Sequence, residues 1–532
     1  MTTEENQHER REEVGGAPLR KPSCDRPTAT RTARLGCRHI TPHLLFVTAL
    51  RAFFLCLPVQ AAHLSGRDLP PAVPAPQLMV LPAAALRILP NGLKVVVLER
   101  KDLPVVTLDL AVKTGSEADP PNLPGTAQFV ASLLDEGTTT RTAQQIAAAL
   151  DDTGATLDTG AEWDDSYATV TALSNHVHSA FDVLSDIFVH PSFESAEVER
   201  IRTQTLSALD ILRQDPEYLA DTLVEEIAFR GTPYSHPANG VVESIKRISA
   251  RTLRQFHARY YQPSNAVLVA VGDISASSGF ALAQRFFGLW QNSEPIPRIK
   301  TNPGNSSPER RVLAIDDPNA VQTVIRIANR VVERDSSEYP ALMVANQVLG
   351  GPAENLLFSA LRTRRGLVYG ASSDLDCYRI AGVWEEKTAT RTAQTVRAVQ
   401  LMLDQMRSLR GHALGPWELE NAQDYLVGHM ALDLESSQDI ADHLLELLIY
   451  GLPINDWNQF PQKIRRLQVD DVRAAIRTYL KPEDAVIVLV GNVSAFKNEL
   501  KKLGPFQVIP LSRVNLASEF LDGKPFPALA AR

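Results

Sequence analysis

The chain is poor in the residues from which reactive sites are usually built. It has four cysteines in 532 residues, and three of them, Cys24, Cys37 and Cys56, fall in the N-terminal presequence. Only Cys377 would survive removal of a leader, so the mature chain has no intramolecular disulfide. With no activating base near it, Cys377 reads as a small packing residue rather than a nucleophile. No apolar run is long enough for a good membrane span. No basic stripe interleaved with aromatics follows about residue 75, which argues against nucleic acid as a partner. No Ser-His-Asp order, phosphate-binding loop or dinucleotide fingerprint is present. His176 and His178 stand two apart after a strand and read as a surface turn, not as a zinc pair. Asp151-Asp152 and Asp164-Asp165 are adjacent carboxylates near turns, where solvation is the expected state.

What is present describes a globular protein. The hydrophobic content of 44% can fill real cores, and the length calls for two or three domains. The net charge of −8 is spread over both signs, as a diffuse acidic surface that favours solubility. Residues 1–43 are polar and without sustained apolar period, so disorder is expected there. Leu44 to Ala62 is an apolar segment interrupted by Arg51 and ending in Val59-Gln60-Ala61, a small-residue cleavage pattern. This predicts a presequence and signal peptide over 1–61 and an exported protein, in a bacterial periplasm. Residues 62–85, with Pro70-Pro71, Pro74, Pro76 and Pro82, read as an extended linker.

The body of the chain repeats itself. Tyr260-Tyr-Gln-Pro263-Ser-Asn-Ala-Val-Leu-Val-Ala-Val-Gly272 is echoed 219 residues later by Tyr479-Leu-Lys-Pro482-Glu-Asp-Ala-Val-Ile-Val-Leu-Val-Gly491. A helix, a turn at proline and a fully apolar strand ending in glycine thus occur twice in register, which predicts two copies of one unit. Each copy reads as strands first and helices after. In the first, Asn91-Gly92 supplies turn geometry between two strand-like runs, Val105 to Lys113 follows as a strand, and helical periods cover 126–135, 142–152, 178–188, 194–213 and 217–228. The second opens with strands near 312–315 and 321–328. Its helical periods fall at 337–349, 354–364, 389–409, 416–430, 437–449 and 469–479. Gly350-Gly351 follows a helix and reads as its C-cap. The expected domains are 86–290 and 311–512, joined by a linker at 291–310 and followed by a tail at 513–532.

One stretch has the frame of a metal site without its ligands: Gly125-Thr-Ala-Gln128-Phe-Val-Ala131-Ser132-Leu-Leu-Asp-Glu-Gly137-Thr138. It opens a helix after Pro124, with positions 128 and 132 one turn apart on the same face. It resembles the zinc helix of the insulinase/pitrilysin-type peptidases, G-x-x-H-F-x-E-H followed by G-T. The resemblance places Gln128 at the first His, Ala131 at the Glu general base and Ser132 at the second His. The family's third ligand, a Glu 76 residues beyond the second His, falls on Ala208. All four positions lack the family's residue, so no metal is expected in this chain.

The resemblance covers about 86–512 and extends to Leu349-Gly350-Gly351 and Leu361-Arg362-Thr-Arg-Arg365-Gly366-Leu367-Val-Tyr369, similar to the family's L-G-G and L-R-x-x-R-G-L-x-Y signature. It implies that Arg362 and Tyr369 reach toward the scissile carbonyl of a bound peptide, chemistry that an Arg fork and a phenol can supply. The alternative is a solvated helix face with a C-terminal dipole cap. The family's Ser-Arg before this helix is Asn355-Leu356 here. The implied fold is α+β: two tandem homologous domains, each a mostly antiparallel sheet packed with helices. The implied function is that of a non-zinc subunit of a heteromeric peptidase, with zinc in a homologous partner and an extended peptide as substrate. A catalytically inactive scaffold of the same fold is the alternative.

Overall fold

The computed structural model describes residues 80–297, 299, 311–352 and 355–518. The expected leader and export segment, most of the 62–85 and 291–310 linkers and the end of the tail lie outside the described residues. In the first half Asn91-Gly92 closes the expected hairpin. Gly92 takes φ +97°, a conformation open to glycine, and β1 (Ala85–Ile88) pairs antiparallel with β2 (Lys94–Glu99). There follow β3 (Val105–Val112), α1 (Thr126–Ala131), α2 (Ala143–Asp151), β4 (Thr156–Ala161), β5 (Ser166–Leu173), α3 (Val177–Val189), α4 (Ser195–Leu212), α5 (Pro216–Ala228), α6 (Val242–Ile245), α7 (Ala250–Tyr260), β6 (Ala266–Gly272) and α8 (Ala276–Phe287).

The second half contains β7 (Arg311–Asp316), β8 (Gln322–Val331), α9 (Tyr339–Gly350), α10 (Leu356–Phe358), β9 (Val368–Cys377), β10 (Gly382–Arg391), α11 (Thr395–Gly411), α12 (Pro416–His429), α13 (Ser437–Ile449), α14 (Asp456–Arg466), α15 (Val469–Tyr479), β11 (Val486–Gly491) and β12 (Phe506–Pro510). The sheets run β1-β2-β6-β3-β5-β4 and β12-β7-β11-β8-β10-β9. Both are mixed: β2 with β6, and β7 with both β11 and β12, are parallel, and the other neighbours are antiparallel.

Each sheet has two faces to cover, and its own half covers one. Beneath the first sheet lie α1, α3, α7 and α8, with Phe129, Phe181, Leu184, Phe256 and Phe287 in the core. Beneath the second lie α9, α11 and α15, with Leu342, Leu349, Met402 and Ile476. The remaining faces are exchanged. Helix α5 of the first half packs on β8 and β11, and α13 of the second half packs on β3 and β6. Both helices have thirteen residues, and both start cleanly: Asp215 accepts from Glu217 N at 2.8 Å before Pro216, and Ser436 accepts from Asp439 N at 3.0 Å. Because β6 and β11 are covered on both sides, their sequences are apolar without alternation. Helix α13 sets Ile440, Leu444, Leu445, Leu448 and Ile449 against Val96, Leu98, Val267, Val269 and Val271. At about 1.5–3 kcal/mol per fully buried side chain, five such residues are worth on the order of 10 kcal/mol before entropy is charged. That is comparable with the whole net stability of a domain.

Several local expectations need correction. Strands and helices interleave: β4 and β5 follow α2, and the last strand of each half comes after most of its helices. Residues 389–391 belong to β10, where Thr388 and Thr390 donate to the carbonyls of Gly370 and Leu367 at 2.6 and 2.8 Å; alternating threonines paired across strands override the helical period. Helices α6, α8 and α14 form where no helix is expected from the sequence. Gly351 is the C-cap of α9, in an extended rather than a left-handed conformation, and Gly350 is required for the approach of β9, because a Cβ on it would stand 2.3 Å from Ser373 N. Asp164 is not solvated: it is 1% exposed and accepts from the Tyr234 hydroxyl at 2.8 Å and from Arg379 N at 2.7 Å. Asp151 and Asp152 are exposed as expected, and His178 stands on the surface with its ring edge-on to Phe286. Burial pushes the Cys377 thiol up to about 12, as an inert packing residue requires.

Leu444→Ala is expected to cost about 2–5 kcal/mol and, because α13 belongs to both halves, to shift one cooperative transition. Urea unfolding followed by circular dichroism and by tryptophan fluorescence checks this. Two phases of which only one moves would contradict it.

Candidate functional site

Helix α1 begins where Gly125, at φ +87°, brings the backbone against Gly240, whose Cα a Cβ would approach to 2.7 Å. The Asp119 carboxylate receives Ala127 N at 2.8 Å and so caps the helix. Three of the four positions of the zinc frame have structural uses. Gln128 Oε1 accepts from Ala161 N at 3.0 Å, which ties α1 to the end of β4. Ala131 is fully buried. Ser132 closes the helix and its hydroxyl donates to Phe129 O at 3.2 Å. Ala208 is exposed on α4. Zinc binding takes three or four imidazole, thiolate or carboxylate donors. An engaged amide, an engaged hydroxyl and two alanines do not fit it. Among the described residues no group of three or more His, Cys, Asp or Glu is placed to hold a metal ion.

Arg362 and Tyr369 are brought together elsewhere. Asn355, at the place of the Ser-Arg pair, caps α10 by accepting from Phe358 N at 2.7 Å and donates to Gly351 O at 2.7 Å. The helix then widens into a π-turn over Ser359–Thr363, a distortion frequent at functional sites. Gly366, at φ +59°, reverses the chain into β9. The Arg362 guanidinium donates to Val368 O at 3.1 Å and lies 5.2 Å from the centre of the Tyr369 ring, a cation–π contact. The phenol is 88% exposed. Both residues line an open cleft of about 860 Å³ along β9. None of Gln128, Ala131, Ser132 and Ala208 lines it.

The cleft also contains charged residues that sequence reasoning missed: Glu217 from α5, Arg326 from β8, Asp374 from β9 and Lys387 from β10. Arg326 is 4% exposed and pairs with Asp221 of α5 and, at 3.3 Å, with Glu385. Lys387 reaches Asp374 at 3.1 Å and Glu385 at 3.4 Å. Burial, against the opposing charge of Lys387, pushes Glu385 up to about 8. No sequence signal announces this group, because it forms only when α5 crosses onto the second sheet. Chemically, the cleft offers a guanidinium with donors to spare, an exposed phenol and the free edge of β9, the last strand of its sheet.

Two family models match the chain: insulinase (peptidase family M16) over residues 95–240, and peptidase M16 inactive domain over residues 247–426. The chain belongs to the insulinase (M16) peptidase family. It is 29% identical over 422 residues to an uncharacterized zinc protease of Mycobacterium tuberculosis, covering 77% of this chain and 94% of that one. It is 23% identical over 393 residues to a non-peptidase homolog of Helicobacter pylori, covering 73% and 90%. The crystal structure of a peptidase M16 inactive domain from Pseudomonas fluorescens matches with a TM-score of 0.73 at 27% identity, over 77% of this chain and 98% of that one. The two-sheet fold is thus that of M16 peptidases, and this member departs from the family's zinc motif at four positions.

The purified chain is expected to hold no stoichiometric zinc. Metal analysis after dialysis checks this, and one tightly held zinc per chain would contradict it.

Proposed function

We propose that this chain is the zinc-free subunit of a two-chain, exported M16 peptidase, presenting Arg362 and Tyr369 to an extended peptide. The reading is carried by one observation: Arg362 and Tyr369 stand together at an open cleft beside an unpaired strand edge, while the zinc frame is filled with packing contacts. A homologous partner carrying the H-x-x-E-H helix would hold zinc and the general base, and so supply the attacking water. This chain's part is to bind and orient. The free main-chain groups of β9 would pair with the peptide as an added strand. The Arg362 guanidinium and the Tyr369 hydroxyl would donate to a carbonyl oxygen as it gains charge. The apolar segment ending in Val59-Gln60-Ala61 supports export to a bacterial periplasm. Among the described residues no helix is long and apolar enough to cross a membrane.

A second reading is a scaffold or binding protein that kept the fold and lost proteolysis. The similarity to a relative described as a non-peptidase homolog favours it.

Arg362→Ala and Tyr369→Phe separate the two readings. Under the first, each leaves folding and partner binding intact and lowers peptide turnover by the assembled pair by about 10²–10³-fold, with less than additive loss in the double variant because both act on one carbonyl. Rates at saturating peptide with the zinc-bearing partner are the measurement, and wild-type turnover in both variants would favour the scaffold. N-terminal sequencing of native protein is expected to start near Ala62; a soluble cytoplasmic chain retaining residues 1–60 would contradict export.

A further inference from the structure

The two exchanged helices are equivalent in sequence, but the polar contacts beneath them differ. Asp221 and Asp442 each occupy the sixth position of a thirteen-residue helix, in Leu219-Ala220-Asp221 and Ile440-Ala441-Asp442. The strand positions below them are also equivalent. Arg326 lies opposite Val488 of β11, Asp109 lies opposite Val269 of β6, and Val269 and Val488 hold the same place in the two repeats. Under α5, Asp221 meets an arginine. Under α13, Asp442 meets a second carboxyl group, that of Asp109.

The geometry defines what this second contact requires. Asp109 is 1% exposed, and its Oδ1 accepts from the Thr169 hydroxyl at 2.9 Å. Asp442 Oδ1 accepts from Gln438 Nε2 at 2.8 Å. Both acids line one cavity where α13 packs on β3. Two carboxylates in contact repel, and a hydrogen bond between them exists only when one carries a proton. We propose that Asp109 and Asp442 form a proton-sharing latch that holds α13 on the first sheet, closed while the pair keeps one proton and loosened when both acids ionise.

No cation among the residues lining the cavity replaces that proton; Asp442 stands at its exposed rim, where the charge of His443, its neighbour on α13, favours the ionised form. The pair borders a cavity of about 430 Å³ whose other acids are Asp158 of β4, Glu162 and Asp165 ahead of β5, and Glu446 of α13. No Lys, Arg or His lines it. The remaining titratable groups lining it are the phenols of Tyr167, Tyr378 and Tyr450, beside the neutral polar groups of Thr169, Gln438 and Trp163. The cations nearby are engaged: Arg379 donates to Asp164 O at 2.8 Å and pairs with Glu117, and Arg334 pairs with Glu446 at 2.7 Å. On α13 itself, Asp439 adds a negative charge beside Asp442, and His443 lies 3.7 Å from Glu446. Burial, then the charge of Asp442, holds Asp109 well above the ordinary carboxylate range. Burial also raises Asp442, and burial with Glu162 and Asp164 pushes Asp165 up to about 7. A carboxyl group raised in the folded state stabilises that state fully below its unfolded value of about 4, and the contribution is lost as pH rises through the folded value. The latch therefore weakens from mildly acidic toward alkaline pH.

Hydrogen exchange of the full chain, corrected for intrinsic rates and compared at about pH 5 and about pH 8, tests this. Peptides covering residues 437–449 are expected to lose at least about tenfold in protection at the higher pH, the value of one pKa unit. In Asp109→Asn the amide donates permanently to the Asp442 carboxylate, and the loss should disappear. Peptides covering residues 216–228 serve as reference between the two proteins, because Glu225, pushed by burial up to about 7, and Glu385 act there in both. Equal protection of 437–449 at the two pH values in the wild type would overturn the proposal. So would the same loss in Asp109→Asn, and if that variant does not fold, Asp442→Asn gives the same comparison.

Discussion

The exchange of α5 and α13 is the constraint on which the rest of the structure depends. Each sheet carries helices of its own half on one face and would leave the other face, with its unbroken valines and isoleucines, open to water. The opposite half closes it. Two consequences follow. The halves are bound by two shared apolar cores, smaller than the core within each half but built from residues of both. The cleft beside Arg362 and Tyr369 also receives Glu217 from the first half, and Asp221 pairs with the Arg326 that lines it, so its electrostatics belong to the whole chain.

The zinc frame keeps the helix and its surroundings with other residues at the ligand positions. Gln128 fastens α1 to the edge strand β4, Ser132 closes the helix, and Ala131 fills the core; each substitution satisfies a local packing or hydrogen-bonding demand. Around Arg362 the constraints are of another kind. Gly350 is held by the close passage of β9, Gly366 by its backbone conformation, and the π-turn interrupts the helix just where Arg362 leaves it. Packing alone does not call for an 88% exposed tyrosine beneath a guanidinium.

Much of the fold was legible in the sequence, and the part that was not has a physical reason. The repeated helix-turn-strand around Pro263 and Pro482, the Asn91-Gly92 hairpin and the long amphipathic helices all carry local signals. The period of α5 or α13 says which face is buried, and it is silent about which sheet buries it. The exchange was therefore hidden, and with it the burial of Arg326, Glu385 and Asp109. Thr388 and Thr390 misled because short polar residues suit a helix end as well as a strand until a partner strand pairs with them. Gly351 is the cap that its place after a helix suggests, whereas the need for glycine at 350 comes from contact with β9 and leaves no local trace. Of the site, Arg362 and Tyr369 were readable from their motif, since one short stretch of chain carries both, from the π-turn into the start of β9. The acids and bases that line the same cleft were not, since four separate elements bring them there.

This chain is proposed to work only beside a zinc-bearing relative, and native co-purification is the direct test. Protein isolated under mild conditions from its source should bring with it a homologous chain carrying H-x-x-E-H, with about one zinc per pair and peptide hydrolysis that neither chain shows alone. Recovery of this chain by itself, or hydrolysis by this chain after dialysis against a chelator, would contradict it.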